Sequence, residues 1–259
     1  MKNKKFVIVL VFVFLASLIC FSVGFTFGGQ TYMRVSLNGI IFNNDKTEIV
    51  SENFSDEIDS MEIYMDYPCD ISFVQGERFS VEYDKEKVKL EQEKNGLEIA
   101  DLGKSKGFTF GIDFDIDQTP VTITVPKEKT FDVVKINSVV GRVEINGINT
   151  NVLELNADVS ETFIKNSGFE MELDIVSNVG NVMLENCYIN KEANFQVNVG
   201  NLDLNLIGNE NEYRVKSEVN IGQFDFDNNN SETATVVDKN INIAVNVGNC
   251  DLSFTQESE

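Results

Sequence analysis

The chain has 259 residues, 42 acidic and 21 basic side chains, no His, no Trp and a formal charge of −21. That charge argues against nucleic acid or anionic lipid as a direct partner, since both are polyanions. The lack of His removes the commonest general base and metal ligand, and 42% hydrophobic residues with 20 Phe exclude wholesale disorder.

Residues 1–5 contain Lys2, Lys4 and Lys5, and no acid occurs in the first thirty residues, so the remainder carries 18 − 42 = −24. Residues 6–27, FVIVLVFVFLASLICFSVGFTF, hold no charge over 22 positions. As a helix this run rises about 33 Å, enough to cross a hydrocarbon core of roughly 30 Å. It reads as an uncleaved transmembrane signal-anchor, with residues 1–5 cytoplasmic and the rest extracytoplasmic. A cleaved signal peptide is the rival reading. Ser22 and Gly24 form a passable cleavage pair, but the run exceeds the usual apolar region of roughly 7 to 15 residues. A lipoprotein reading at Cys20 is opposed by Ile19, where a small residue is expected.

Residues 28–57 show little periodicity and read as a linker. Residues 58–126 read as an irregular β region, with short alternations in MEIYM, DISF, FSVEY, LEIA, FTFGIDFDID and VTITV. The charged run 84–95 within it suits a protruding hairpin or a short helix. Asp113, Asp115 and Asp117 imitate the start of a calcium loop. The required Gly and terminal Glu do not follow, and alternation with Ile112, Phe114 and Ile116 explains them as one face of a strand.

From residue 127 to 254 a phrase of about twenty residues recurs: NSVVGRVEI, ADVSETFI, SNVGNVML, VNVGNLDL, VNIGQFDF and VNVGNCDL. Its anchors are Gly141, Ser160, Gly180, Gly200, Gly222 and Gly248, spaced by 19, 20, 20, 22 and 26 residues. One position before each anchor stand Val140, Val159, Val179, Val199, Ile221 and Val247, which continue the period-2 apolar pattern of a strand. Apolar residues reappear two and four positions after it, so the inward face slips by one residue, as at a corner. Glycine suits such a corner because it enters positive φ freely. Ser160 cannot do the same cheaply, and its coil is expected to be the least regular.

Each unit is therefore strand, corner, strand, turn. Stacked units place like positions about 4.8 Å apart and join their apolar columns into one core. Asn178, Asn198, Asn220 and Asn246 form one column, and Asn181, Asn201 and Asn249 another, both suited to amide ladders. The expected fold is all-β: a single-stranded parallel β-helix or solenoid of about 20-residue coils, preceded by one transmembrane helix. The solenoid spans 58–254, with regular coils over 127–254 and a tail at 255–259.

The elements MEIYMDYPCDISFVQG and PVTITVPKEKTFDVVKINSVVGRVEING, followed by NVGN-type phrases, resemble the bacterial putative-adhesin domain family of β-strand repeats. The likeness runs from about residue 58 to 254. It implies a single-stranded β-helix at the surface of a Gram-positive bacterium, in a family of unknown function that supplies no catalytic residues. Ser160 departs from the glycine pattern.

Candidate chemistry is sparse. Asp203, Asp225 and Asp251 share one column, flanked by Asp227 and Asn205, with Glu144 three coils earlier. Three stacked carboxylates could hold Ca²⁺. A solvated acidic face explains them as well, because two charges about 4.8 Å apart in water repel by only about 0.9 kcal/mol. Glu144 and Asp203 are the pair an acid–base mechanism would need, although a chain with 42 acids offers such pairs by chance. Cys69, Cys187 and Cys250 have no metal-like spacing and read as small buried hydrophobes, with one disulfide plus a free thiol as the alternative.

No catalytic, cofactor-binding or metal residue is assigned, and no cofactor is expected. The expected function is a non-enzymatic, membrane-anchored, adhesin-like scaffold at the cell membrane. Its expected partner is a cell-wall component or a membrane protein, and the solenoid ends leave self-association open. The alternatives are an envelope-stress sensor acting through a membrane partner and a carbohydrate-active β-helix enzyme.

Overall fold

The computed structural model describes residues 32–36, 39–42, 47–55, 57–102, 108–111, 119–226 and 238–256. The 6–27 span, Cys20, Asp227 and the triplet Asp113, Asp115 and Asp117 lie outside them. Among the described residues no helix is long and apolar enough to cross a membrane.

Nine strands precede the regular repeat. They are β1 (Tyr32–Ser36), β2 (Gly39–Phe42), β3 (Ile49–Asn53), β4 (Ser60–Gly76), β5 (Ser80–Asp84), β6 (Val88–Glu93), β7 (Gly96–Asp101), β8 (Phe108–Gly111) and β9 (Thr119–Pro126). The chain divides into two compact units. In the smaller, β1 pairs antiparallel with both β2 and β8. Residues 28–57, expected to be a linker, thus contain β1, β2 and β3. These strands of four or five residues are too short to show a period, and the partner of β1 lies some seventy residues away. Likewise β8 belongs to the smaller unit, not to the irregular part of the solenoid.

In the larger unit the charged run 84–95 resolves as a hairpin. β6 pairs antiparallel with β7 through a turn in which Lys94 takes φ 52°. β3 joins β5 antiparallel, where the Tyr83 hydroxyl donates to Glu52. β4 is the first long parallel strand. β7 pairs with its first half and β9 with its second, in parallel.

The repeat region follows with β10 (Thr130–Asn146), β11 (Asn149–Lys165), β12 (Gly168–Val179), β13 (Val182–Ile189), β14 (Glu192–Val199), β15 (Leu202–Ile207), β16 (Tyr213–Ile221), β17 (Phe224–Phe226), β18 (Lys239–Val247) and β19 (Cys250–Thr255). Every pairing among these strands is parallel. Like positions of the phrase sit side by side: Ile136, Leu155, Ile175, Phe195 and Ile243 form one buried column. Each such side chain stabilises the stack by roughly 1.5–3 kcal/mol on leaving water. The fold is all-β and mostly parallel.

Three expectations need correction. The residues just before the anchors are not core. Val159 is 51% exposed and Ile221 66%, and Val140, Val179, Val199 and Val247 are also exposed. The inward face does change parity, but the corner occupies four residues, from two before the anchor to one after it. Inside, the flanking positions are buried, as at Ser177 and Val182.

The Ser160 coil is not the least regular. β11 runs unbroken for 17 residues and pairs with β10 along its length. Ser160 is not among the positive-φ residues, whereas Gly180, Gly200, Gly222 and Gly248 take φ between 142° and 148°.

The coils do not stack in chain order. β18 and β19 lie between β14/β15 on one side and β16/β17 on the other. The last coil in sequence is therefore the penultimate coil in space, and β16/β17 forms the end of the stack.

Candidate functional site

Outward positions on the face made by β11, β12, β14, β18 and β16 line an open groove of about 610 Å³. Strand alternation sets its chemistry: when residues such as Leu155 and Ile175 enter the core, their neighbours must face water. Six residues before each anchor the register aligns Lys135, Glu154, Asp174, Asn194, Asn242 and Lys216. Two residues further on it aligns Asn137, Asn156, Val176, Gln196, Ala244 and Glu218.

These columns are hydrogen-bonded from coil to coil. Lys135 Nζ lies 2.9 Å from a Glu154 oxygen. Asn194 donates to Asp174 at 2.6 Å, and Asn242 donates to Asn194 at 2.8 Å. A parallel ladder at the corner runs from Asn220 to Asn246, Asn198, Asn178 and finally Asp158, each amide nitrogen donating to the next oxygen. Both ladders end on an aspartate, which only accepts. The other Asn column works through the backbone. The Asn181, Asn201 and Asn249 side chains accept from the N–H of Asn201, Asn249 and Gln223. The expected amide ladders exist, in the corrected coil order.

Among the described residues two carboxyls stand above their ordinary pKa. Glu172 is raised chiefly by the charge of Asp174, then by burial. Asp203 is raised chiefly by burial, then by the charge of Asp251. The expected Asp column is present, but in the order Asp203, Asp251, Asp225. Among the described residues no group of three or more His, Cys, Asp or Glu side chains could hold a metal ion. Glu144 and Asp203 are not brought together. Phe163 and Met183 occupy the two coils between them, a separation of roughly 14 Å at the parallel-strand spacing. That exceeds the roughly 5 to 9.5 Å used by paired glycosidase carboxylates.

Cys69, Cys187 and Cys250 are buried free thiols on different columns, and burial raises their pKa values to about 12, 11 and 12. Cys69 occupies the anchor position of its own coil, opposite Gly141.

Sequence reading missed the groove columns. Their signal is present once the phrases are aligned on their anchors, but an outward polar residue in a strand is the default and draws no notice.

The arrangement defines a β-stack with one extended, polar, hydrogen-bonding face. Residues 58–258 match the family described as Toastrack DUF4097, and the chain belongs to that family. No curated relative matches the sequence. A putative cell adhesion protein from Clostridium sporogenes is similar in structure, at 13% identity and TM-score 0.50, with 81% of this chain and 100% of that one covered. A putative adhesin from Bacteroides fragilis is similar at 14% identity and TM-score 0.44, covering 80% and 98%. A putative lipid binding protein from Parabacteroides distasonis follows at 12% identity and TM-score 0.32, covering 83% and 98%. At these identities the first likeness speaks for the fold alone.

Proposed function

We propose that the chain is a non-enzymatic, membrane-anchored module: a parallel β-helix held outside the cell membrane by the single pass of residues 6–27. In this reading the stack is an adhesin-like scaffold, and the polar face along β11, β12, β14 and β18 binds an envelope component. The observation that carries the reading is the coil-to-coil ladder of carboxylates and amides lining the groove. Acceptor carboxylates with paired amide donors and acceptors suit the hydroxyl and acetamido groups of a wall glycan. The face is open, without walls to exclude water from a reacting bond, which favours binding over catalysis. The words "adhesin" and "cell adhesion" in the names of similar proteins agree with this role.

Co-sedimentation of residues 31–259 with isolated cell-wall sacculi tests it. Saturable pelleting that weakens at least tenfold in Asn194→Lys and Asn242→Lys is expected. No pelleting, or pelleting indifferent to both substitutions, would overturn the glycan-facing role.

A further inference from the structure

The end coil of the stack is unfinished. β16 pairs with β18 on one side and, among the described residues, with nothing on the other. Ser217 faces inward in the column of Phe195 and Ile243, yet it is exposed. Val215, Val219, Phe224 and Phe226 are only partly buried against the core. An edge with free backbone donors and acceptors and a half-covered apolar end is a template for another strand.

The charges on this edge are also unfinished. At three places in the stack a basic residue of one coil is answered by an acid of the next, in Lys135–Glu154, Lys165–Glu185 and Arg142–Glu161. Lys216 and Glu218 point outward from β16, and no ion pair or hydrogen bond engages either among the described residues.

We propose that β16 pairs with β16 of a second copy, antiparallel and centred on Ser217. That register sets Lys216 of each copy opposite Glu218 of the other, giving two complementary pairs on the outer face. On the inner face it sets Val215 opposite Val219, closing both cores. Arg214 then meets Asn220. Centring on Lys216 would oppose two lysines, and centring on Glu218 two glutamates; like charges directly opposite destabilise a strand pair. The edge charges therefore admit one self-pairing and resist the neighbouring ones. The result is a closed two-fold dimer, not a filament, because the same surface serves both copies.

Sedimentation equilibrium of the full chain in mild non-ionic detergent tests this. The wild type is expected to show concentration-dependent dimerisation. Lys216→Glu and Glu218→Lys, each with an unchanged unfolding midpoint, should weaken self-association at least tenfold. An equimolar mixture of the two variants should recover it, because a copy with two acids then faces a copy with two lysines. Ser217→Cys should give a disulfide-linked dimer on oxidation. A wild type that stays monomeric, single variants that dimerise like it, or a mixture that recovers nothing would each overturn the proposal.

Discussion

Gly200 donates its backbone N–H to the carbonyl of Val247 at 2.9 Å, although 47 residues separate them and the phrase anchored on Gly222 lies between. The Gly248 N–H in turn donates to Ile221 at 2.9 Å. The C-terminal coil is thus bonded on both sides, and among the described residues the coil before it in sequence has its strand pairing with that coil alone.

Removal of residues 239–259 should therefore cost more than an end coil. Without β18 and β19, β16 and β17 lose every strand partner shown for them. Hydrogen exchange should show amides 213–226 losing protection in the truncated chain. Retained protection would mean that this coil can dock directly on β14 and β15.

The anchor glycines differ in kind from Ser160. At Gly200, with φ 148°, a Cβ would overlap the Gly180 carbonyl, so Gly200→Ala meets both backbone strain and a backbone clash. Strain of this kind costs on the order of 1–3 kcal/mol, before any cost of separating the coils. Ser160 has a buried hydroxyl with no hydrogen-bond partner. Ser160→Ala should be neutral or stabilising, because it removes a desolvated polar group. Urea unfolding midpoints of the two variants should move in opposite directions or differ by at least the strain cost.

The repeat was legible because its glycines answer a local need, visible in one phrase at a time. The coil order was not, since VNIGQFDF and VNVGNCDL satisfy the same template and neither names its neighbour. The exposed Val159 and Ile221 misled for a different reason. A β-branched residue in an alternating run reads as core, and only the width of the corner shows that it faces out. β1 and β2 stayed hidden because a four- or five-residue strand has no period, and β1 takes half of its pairing from the distant β8, whose own alternation was visible.

The amide ladder should be asymmetric under substitution. Asn198 donates to Asn178 and accepts from Asn246. Asn198→Asp keeps the second bond and loses the first, placing a carboxylate against a carbonyl oxygen. A loss of about 1–2 kcal/mol is expected. Asp158 is the ladder's terminal acceptor, so Asp158→Asn keeps an oxygen for Asn178 and should change stability by less than about 0.5 kcal/mol. Equal losses in the two variants would mean that the ladder direction does not matter.

The three buried thiols should be silent in the folded protein. Burial raises Cys69, Cys187 and Cys250 to about 12, 11 and 12, so the reactive thiolate is scarce at neutral pH and sterically covered as well. Alkylation mapped by mass spectrometry should leave all three unmodified in buffer and modify all three in denaturant. Labelling of Cys250 alone in buffer would mean that the inserted coil opens by itself.

Asp203 gives stability a pH dependence of definite sign. Burial, then the charge of Asp251, raises its native pKa above that of the unfolded chain, about 3.9. The native state thus binds this proton more tightly, and ionisation of Asp203 opposes folding. The full cost is present above the native pKa, is relieved as pH falls through it, and is gone below the unfolded value. Glu172, raised chiefly by the charge of Asp174, acts in the same direction. Asp203→Asn and Glu172→Gln should therefore raise the melting temperature at pH 7. The gain should shrink steadily as pH is lowered toward the unfolded carboxyl range, followed by circular dichroism. A gain that is constant across that window would assign the stabilisation to new amide contacts and not to the removed charge.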